Sequence, residues 1–169
     1  MDCRSVRWDN NTGLHGVDGN KKIKKIKRHV IVDKNGFLIA VMVCVAYIHH
    51  SKAGLLLLSL LREERINFRC ILADAGYRGD FLDKTHRIYS YLIKVVNRDK
   101  EKQANKEFKP VSKPWMIEKT FAWFENNRWL CRNYQLLHES SENRCKEGQA
   151  QSVFRLILII FSCEEALIH

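Results

Sequence analysis

Two carboxylates, Asp74 and Glu118, stand in contexts that bear on phosphate chemistry. Asp74 closes the apolar run of ILADAGYRG (71–79) and opens onto a turn containing Gly76, Arg78 and Gly79. A strand ending on a carboxylate aims it where ligands collect in open α/β sheets, beyond the carboxyl ends of the strands. Hard cations such as Mg²⁺ take oxygen donors and commonly only one or two protein carboxylates, with water and substrate oxygens completing the shell. Asp74 equally suits a turn cap that accepts main-chain N–H groups. Glu118, in WMIEKTFAW, is bracketed by Trp115, Phe121 and Trp123. Beside a packed surface an idle charge is expensive, although pairing with Lys119 or Arg128 would satisfy it as an ordinary boundary residue. Asp2, in MDCRSV, is uninformative alone.

The elements around these residues follow from pattern. HVIVD, a KNG turn signal and FLIAVMVCVAYI predict a β-hairpin buried on at least one face. SKAGLLLLSLLREERI (51–66) predicts a helix with Ser51 as cap and Gly54 harmless in the first turn. RCILADAGY (69–77) reads as a short strand buried on both faces, with Gly76 and Gly79 turning the chain. GDFLDKTHRIY (79–89) reads as a helix, YLIKVV (91–96) as a strand and 97–113 as a charged loop. PWMIEKTFAWFENNRWLCRNY (114–134) starts with proline, which suits a first helical turn, and its aromatics at 115, 121, 123 and 124 are expected to anchor it. The tail from 135 is read as helical. Strand–helix alternation implies parallel crossover units and the hairpin an antiparallel part, so the fold class is α/β: a mixed sheet flanked by helices.

The 169 residues suit one domain. A formal charge of +10 favours polyanions such as DNA or RNA. Much of it lies in KKIKKIKR, where Lys21, Lys22, Lys24, Lys25, Lys27 and Arg28 put six positive charges in eight residues. Such a run suits DNA-backbone contact, which positions without reading sequence; it equally suits a solvated loop. No apolar run is long enough to span a membrane, and the start lacks a signal-peptide core. The six cysteines form no CxxC pair and no Cys/His cluster of zinc-finger spacing. They read as reduced thiols in a cytoplasmic protein. His49 and His50, taken as strand neighbours, would point to opposite faces and could not share an ion; both are read as structural or DNA-facing. The four tryptophans are read mainly as core, with base stacking the lesser alternative.

Three stretches together resemble the DDE transposases of bacterial insertion sequences, more narrowly the insertion-sequence-five group of the insertion-sequence-four superfamily. They are VDGNKKIKKIKRHVIVDKNGFLIAV, ILADAGYRG and WMIEKTFAWFENNRWLCRNYQL. The resemblance implies an RNase H-like catalytic domain over 1–140, followed by a degenerate helical tail over 141–169. It implies Asp2, Asp74 and Glu118 as catalytic residues holding two divalent ions, Mg²⁺ or Mn²⁺. It also implies cleavage and strand transfer at transposon ends, with Arg78 and Arg128 as further DNA contacts. By the same resemblance the active form is a homo-multimer in the bacterial cytoplasm, associated with the nucleoid, with transposon-end and target DNA as partners.

The chain departs from that pattern in four places. The helical N-terminal region of such proteins is missing before Asp2. Pro114 stands where an arginine is common, Arg128–Trp129 replaces a paired arginine, and the tail differs. A truncated transposase is therefore expected, with a non-catalytic DNA-binding remnant as the alternative.

Overall fold

The computed structural model describes residues 1–7, 16–17, 24–63, 68, 70–96 and 115–150. The strands are β1 (Asp2–Arg7), β2 (Gly16–Val17), β3 (Lys24–Val32), β4 (Leu38–Val45), β5 (Ile71–Asp74) and β6 (Ile93–Val96). The helices are α1 (His50–Glu63), α2 (Asp80–Tyr89), α3 (Trp115–Asn126) and α4 (138–150). The long charged loop expected at 97–113 lies outside the described residues, as do Lys21, Lys22, Trp8 and the end of the tail.

β3 is the hub of the antiparallel part. It pairs β1 on one edge, Asp2 opposite Val30, and β4 on the other, Val41 opposite Val30. β2 adds a short pairing at the start of β3, Gly16 opposite Lys25. The DKNG turn forms as its residues dictate: Asp33 Oδ1 accepts the N–H groups of Asn35 and Phe37, each at 2.8 Å, and Gly36 takes φ 90°. β5 and β6 pair in parallel, Ile71 opposite Ile93 and Asp74 opposite Val96, across the α2 crossover. The alternation of side chains along each strand then splits the core between two faces.

On one face Met1, Ile31, Ala40, Met42 and Cys44 pack against Leu57, Leu58 and Leu61 of α1 and Phe81 of α2. On the other, Val30 and Val41 pack against Ile117, Phe121 and Phe124 of α3, with Leu130 and Cys145. The result is a four-stranded antiparallel sheet and a parallel β5–β6 pair, with helices on both sides. α4 docks into this second cluster and along β4. Its Glu142 Oε1 accepts the Val43 N–H at 2.6 Å, and Gln149 Oε1 accepts the Leu38 N–H. α4 thus packs in good part through polar groups: Ser141 and Gln149 are buried on the same side as Cys145.

Several local expectations are corrected. α1 starts one residue earlier than its leucine pattern suggests, and His49 caps it: His49 Nδ1 accepts the Ser51 N–H at 3.2 Å. His49 and His50 therefore sit at a helix start rather than on a strand. Gly54 is more than tolerated: a Cβ there would lie 2.7 Å from Phe81 Cε2, so α1 needs the glycine to approach α2. β5 alternates buried and half-buried positions instead of being buried on both faces. Gly79 turns the chain with φ 68°, whereas Gly76 takes no positive φ and a Cβ there would meet the His50 ring only at ordinary contact distance. α3 ends at Asn126, and its aromatics divide: Phe121 and Phe124 are buried, Trp115 is 47% exposed, and Trp123 is half-buried under Lys119. Trp129 is 60% exposed, against the core assignment.

Candidate active site

β1 and β5 lie side by side. The Met1 main-chain nitrogen donates to the Leu72 carbonyl, and the Asp74 N–H donates to the Met1 carbonyl at 3.2 Å. Bonds from one residue to the two neighbours of its opposite number are the parallel pattern. Met1 thus stands opposite Ala73, and Asp2 stands opposite Asp74. Asp2 shares its face with Val30, the face that carries α3; Met1 and Ala73 belong to the other. Residues opposite one another on paired strands project to the same side. The two aspartates therefore share the α3 side of the sheet.

There, among the described residues, both aspartates line one cavity of about 560 Å³. Its walls include Met116 and Ile117 of α3 and Asp33 and Lys34 of the hairpin turn. Asp33 is already committed to the turn. Lys34 is a cation at the cavity that the sequence reading passed over, since nothing in DKNG except a turn was legible.

α3 is fixed relative to β1 by Arg4, two residues beyond Asp2. Its guanidinium lies 5.0 Å from the Phe121 ring centroid and pairs with Glu125. Residues 118, 121 and 125 form one stripe of the helix. Glu118 sits at the cavity end of that stripe, one residue after Ile117. It is exposed and does not itself line the cavity.

The carboxylate field reaches neighbouring groups. Burial pushes the Cys3 thiol up to about 12; the negative charge of Asp2 adds, Lys27 opposes, and Asp74 contributes further. Asp2 Oδ1 also accepts the Cys3 N–H at 2.7 Å. Both carboxylates are hard oxygen donors at one cavity wall, a donor set that suits Mg²⁺ or Mn²⁺.

The basic residues expected on a DNA-facing surface separate. Arg28 is buried at 2% exposure, donates to the Leu130 carbonyl, and is held below its ordinary pKa by that burial. It braces the α3 face and offers no surface charge. Lys27 donates to the Ile48 carbonyl at 3.2 Å. Lys25 pairs across from Arg7, five residues along β3 from Val30, the partner of Asp2. At strand rise that is roughly 17 Å from the aspartates. Of Lys24 only the main chain is described. Arg78 is exposed in the turn after β5. Arg128 is exposed beyond α3, ten residues from Glu118 and so roughly 15 Å along the helix direction. The structure brings Asp2 and Asp74 together, sets Glu118 nearby, and leaves Arg128 and the basic run apart from them.

A second cluster lies on the opposite face of β1. Cys3 Sγ is 3.1 Å from His50 Nδ1, and His29 Nδ1 is 2.7 Å from the Tyr77 hydroxyl. Burial pulls His29 down to about 3, so its imidazole is neutral. These residues are distant in sequence, and no spacing rule joins them. No described helix is long and apolar enough to cross a membrane.

Neither the curated proteins nor the solved structures contain a match to this chain. The family model described as the transposase DDE domain matches residues 1–144. That span includes β1 with Asp2, β5 with Asp74 and α3 with Glu118, and the chain belongs to the transposase DDE domain family.

Proposed function

We propose that the chain is an insertion-sequence transposase catalytic domain of RNase H-like fold, with Asp2, Asp74 and Glu118 as its acidic triad. The observation that carries this is the parallel pairing of β1 with β5, which sets Asp2 opposite Asp74 at a cavity closed by the first turn of α3. The antiparallel β4–β3–β1 strands and the parallel β5–β6 pair, linked through the Met1 hydrogen bonds and flanked by helices, support the same reading.

Divalent ions, when bound, would activate a water or a DNA 3′-hydroxyl and stabilise the leaving oxygen of an in-line displacement at phosphorus. Asp2 and Asp74 would hold them from the sheet, and Glu118 from α3. Lys34, at the cavity wall, would neutralise charge on the scissile phosphate. Lys25 would hold the DNA backbone farther along the sheet, together with the lysines that precede it in the basic run. The DNA substrate is the transposon end and its target, and the active form a homo-multimer.

The test is nicking of a supercoiled plasmid carrying the gene with its flanking DNA, in Mg²⁺ or Mn²⁺. The parent should nick, and Asp2→Asn, Asp74→Asn and Glu118→Gln should each abolish nicking while leaving DNA binding intact. Equal nicking by parent and variants sinks the triad.

One observation favours a second reading. Glu118 lies outside the cavity lining that includes both aspartates. A non-catalytic DNA-binding remnant would bind DNA in a salt-sensitive manner and nick nothing in either metal.

A further inference from the structure

The carboxylates leave unexplained a sulfur–nitrogen cluster on the other face of β1. Cys3 and His29 are cross-strand partners in the β1–β3 register, and His50 reaches them from the first residue of α1. One ligand atom from each of Cys3, His29 and His50 lies within 4.8 Å of the other two. A tetrahedral zinc with one sulfur and two nitrogen donors needs them roughly 3.3–3.6 Å apart. Small side-chain rotations close the difference.

The decisive atom is His29 Nε2. His29 is fully buried, and this nitrogen has no hydrogen-bond partner. A buried polar atom without a partner costs free energy. Its other nitrogen is held by the Tyr77 hydroxyl at 2.7 Å. A metal-bound histidine commonly has its distal nitrogen fixed by such an outer partner, which sets the tautomer. With Nδ1–H donating to Tyr77, Nε2 is left with an unused lone pair, in a residue whose nearest ligand atom lies within 4.8 Å of those of Cys3 and His50.

The geometry points to a structural transition-metal site, Cys3–His29–His50, selective for zinc over magnesium. One thiolate and two imidazoles are donors that Zn²⁺ prefers and Mg²⁺ does not. His29 is buried while Cys3 and His50 are half-buried, and among the described residues three donors are supplied, so a water would complete the tetrahedron. The site joins β1, β3 and the start of α1. It thereby clamps the strand that carries Asp2, from the face opposite the carboxylates.

The full chain, reduced and stripped of metal, is titrated with Co²⁺ as a spectroscopic stand-in for zinc. One ion per chain should give a thiolate-to-cobalt charge-transfer band and the intense visible bands of a tetrahedral centre. Cys3→Ser should lose the charge-transfer band, and His50→Gln should lose the tetrahedral spectrum. Asp74→Asn should keep both. Tyr77→Phe, which removes only the outer partner, should weaken binding by about 10–100-fold. Zn²⁺ should compete the cobalt out and raise the unfolding midpoint of the parent but not of His50→Gln.

A folded parent that shows no charge-transfer band overturns the site, whatever the variants do. So does a cobalt spectrum that survives in Cys3→Ser. If Asp74→Asn abolishes binding while Cys3→Ser keeps it, the ion belongs to the carboxylates instead.

Discussion

Thr120 Oγ1 donates to the Gly36 carbonyl at 2.6 Å, tying the middle of α3 to the β3–β4 turn. This bond helps place α3, and with it Glu118, against the cavity that holds Asp2 and Asp74. Gly36 retains a second donor, Gln149 Nε2 at 3.2 Å. Thr120→Val should therefore cost only about 1 kcal/mol of stability. If Glu118 acts with the aspartates, the variant should lose more nicking activity than that small destabilisation explains. Urea unfolding and nicking, measured side by side, check this.

Arg28 and Lys25 belong to the same basic run but should behave oppositely. Arg28→Ala removes a buried side chain and the donor to Leu130, so it should lower stability by about 2–5 kcal/mol. Lys25→Ala should leave stability within about 0.5 kcal/mol. In DNA binding it should weaken affinity and reduce the salt slope by about 1. Urea titration and binding isotherms across salt concentrations separate the two roles.

Glu142 gives a pH dependence with a definite sign. Burial raises its pKa above the ordinary carboxylate value, against the opposing Val43 N–H bond and the charges of Lys146 and His138. A folded-state pKa above the unfolded value means that folding favours the protonated form. Its contribution is present below the ordinary value and is lost as pH rises through the raised one. Glu142→Gln keeps an acceptor for Val43 and removes the titration. The variant should gain stability relative to the parent as pH rises above the ordinary carboxylate value of about 4. A difference that stays constant over that rise refutes the assignment.

Gly54 lets α1 approach α2. In Gly54→Ala the new methyl meets Phe81 Cε2 at 2.7 Å and Tyr77 Cε1 at 3.0 Å. Overpacking of this kind costs about 1–3 kcal/mol, against about 1 kcal/mol gained in helix propensity. The net should be a lower unfolding midpoint, and Phe81→Leu in the same chain should recover part of it. A midpoint that rises would show that the two helices separate freely.

Local chemistry in the sequence determined the parts that answer to local rules. The KNG hairpin, the leucine-rich α1, the strand ILAD, α2 and the start of α3 are encoded by turn residues, periodicity and capping within a few positions of each other. The clustering of positive charge over 21–28 and the aspartate at the end of β5 were legible for the same reason. Even there, α1 takes its cap from His49 rather than Ser51, because a ring nitrogen met the orphan N–H first.

Tertiary structure decided everything that depends on which residues meet across long separations. Asp2 acquires meaning only when β1 pairs with β5, through hydrogen bonds between residues more than seventy positions apart. Arg28 reads as one of six surface cations, yet the strand alternation turns it into the α3 face, while its neighbours Lys27 and His29 point to the other. Cys3, His29 and His50 share no sequence motif. They converge because β1 and β3 are in register and α1 begins beside them. Sequence patterns report the period of an element and the residues that end it. They carry no record of the register or of the face that a neighbouring element will cover, and here those two choices assemble both clusters.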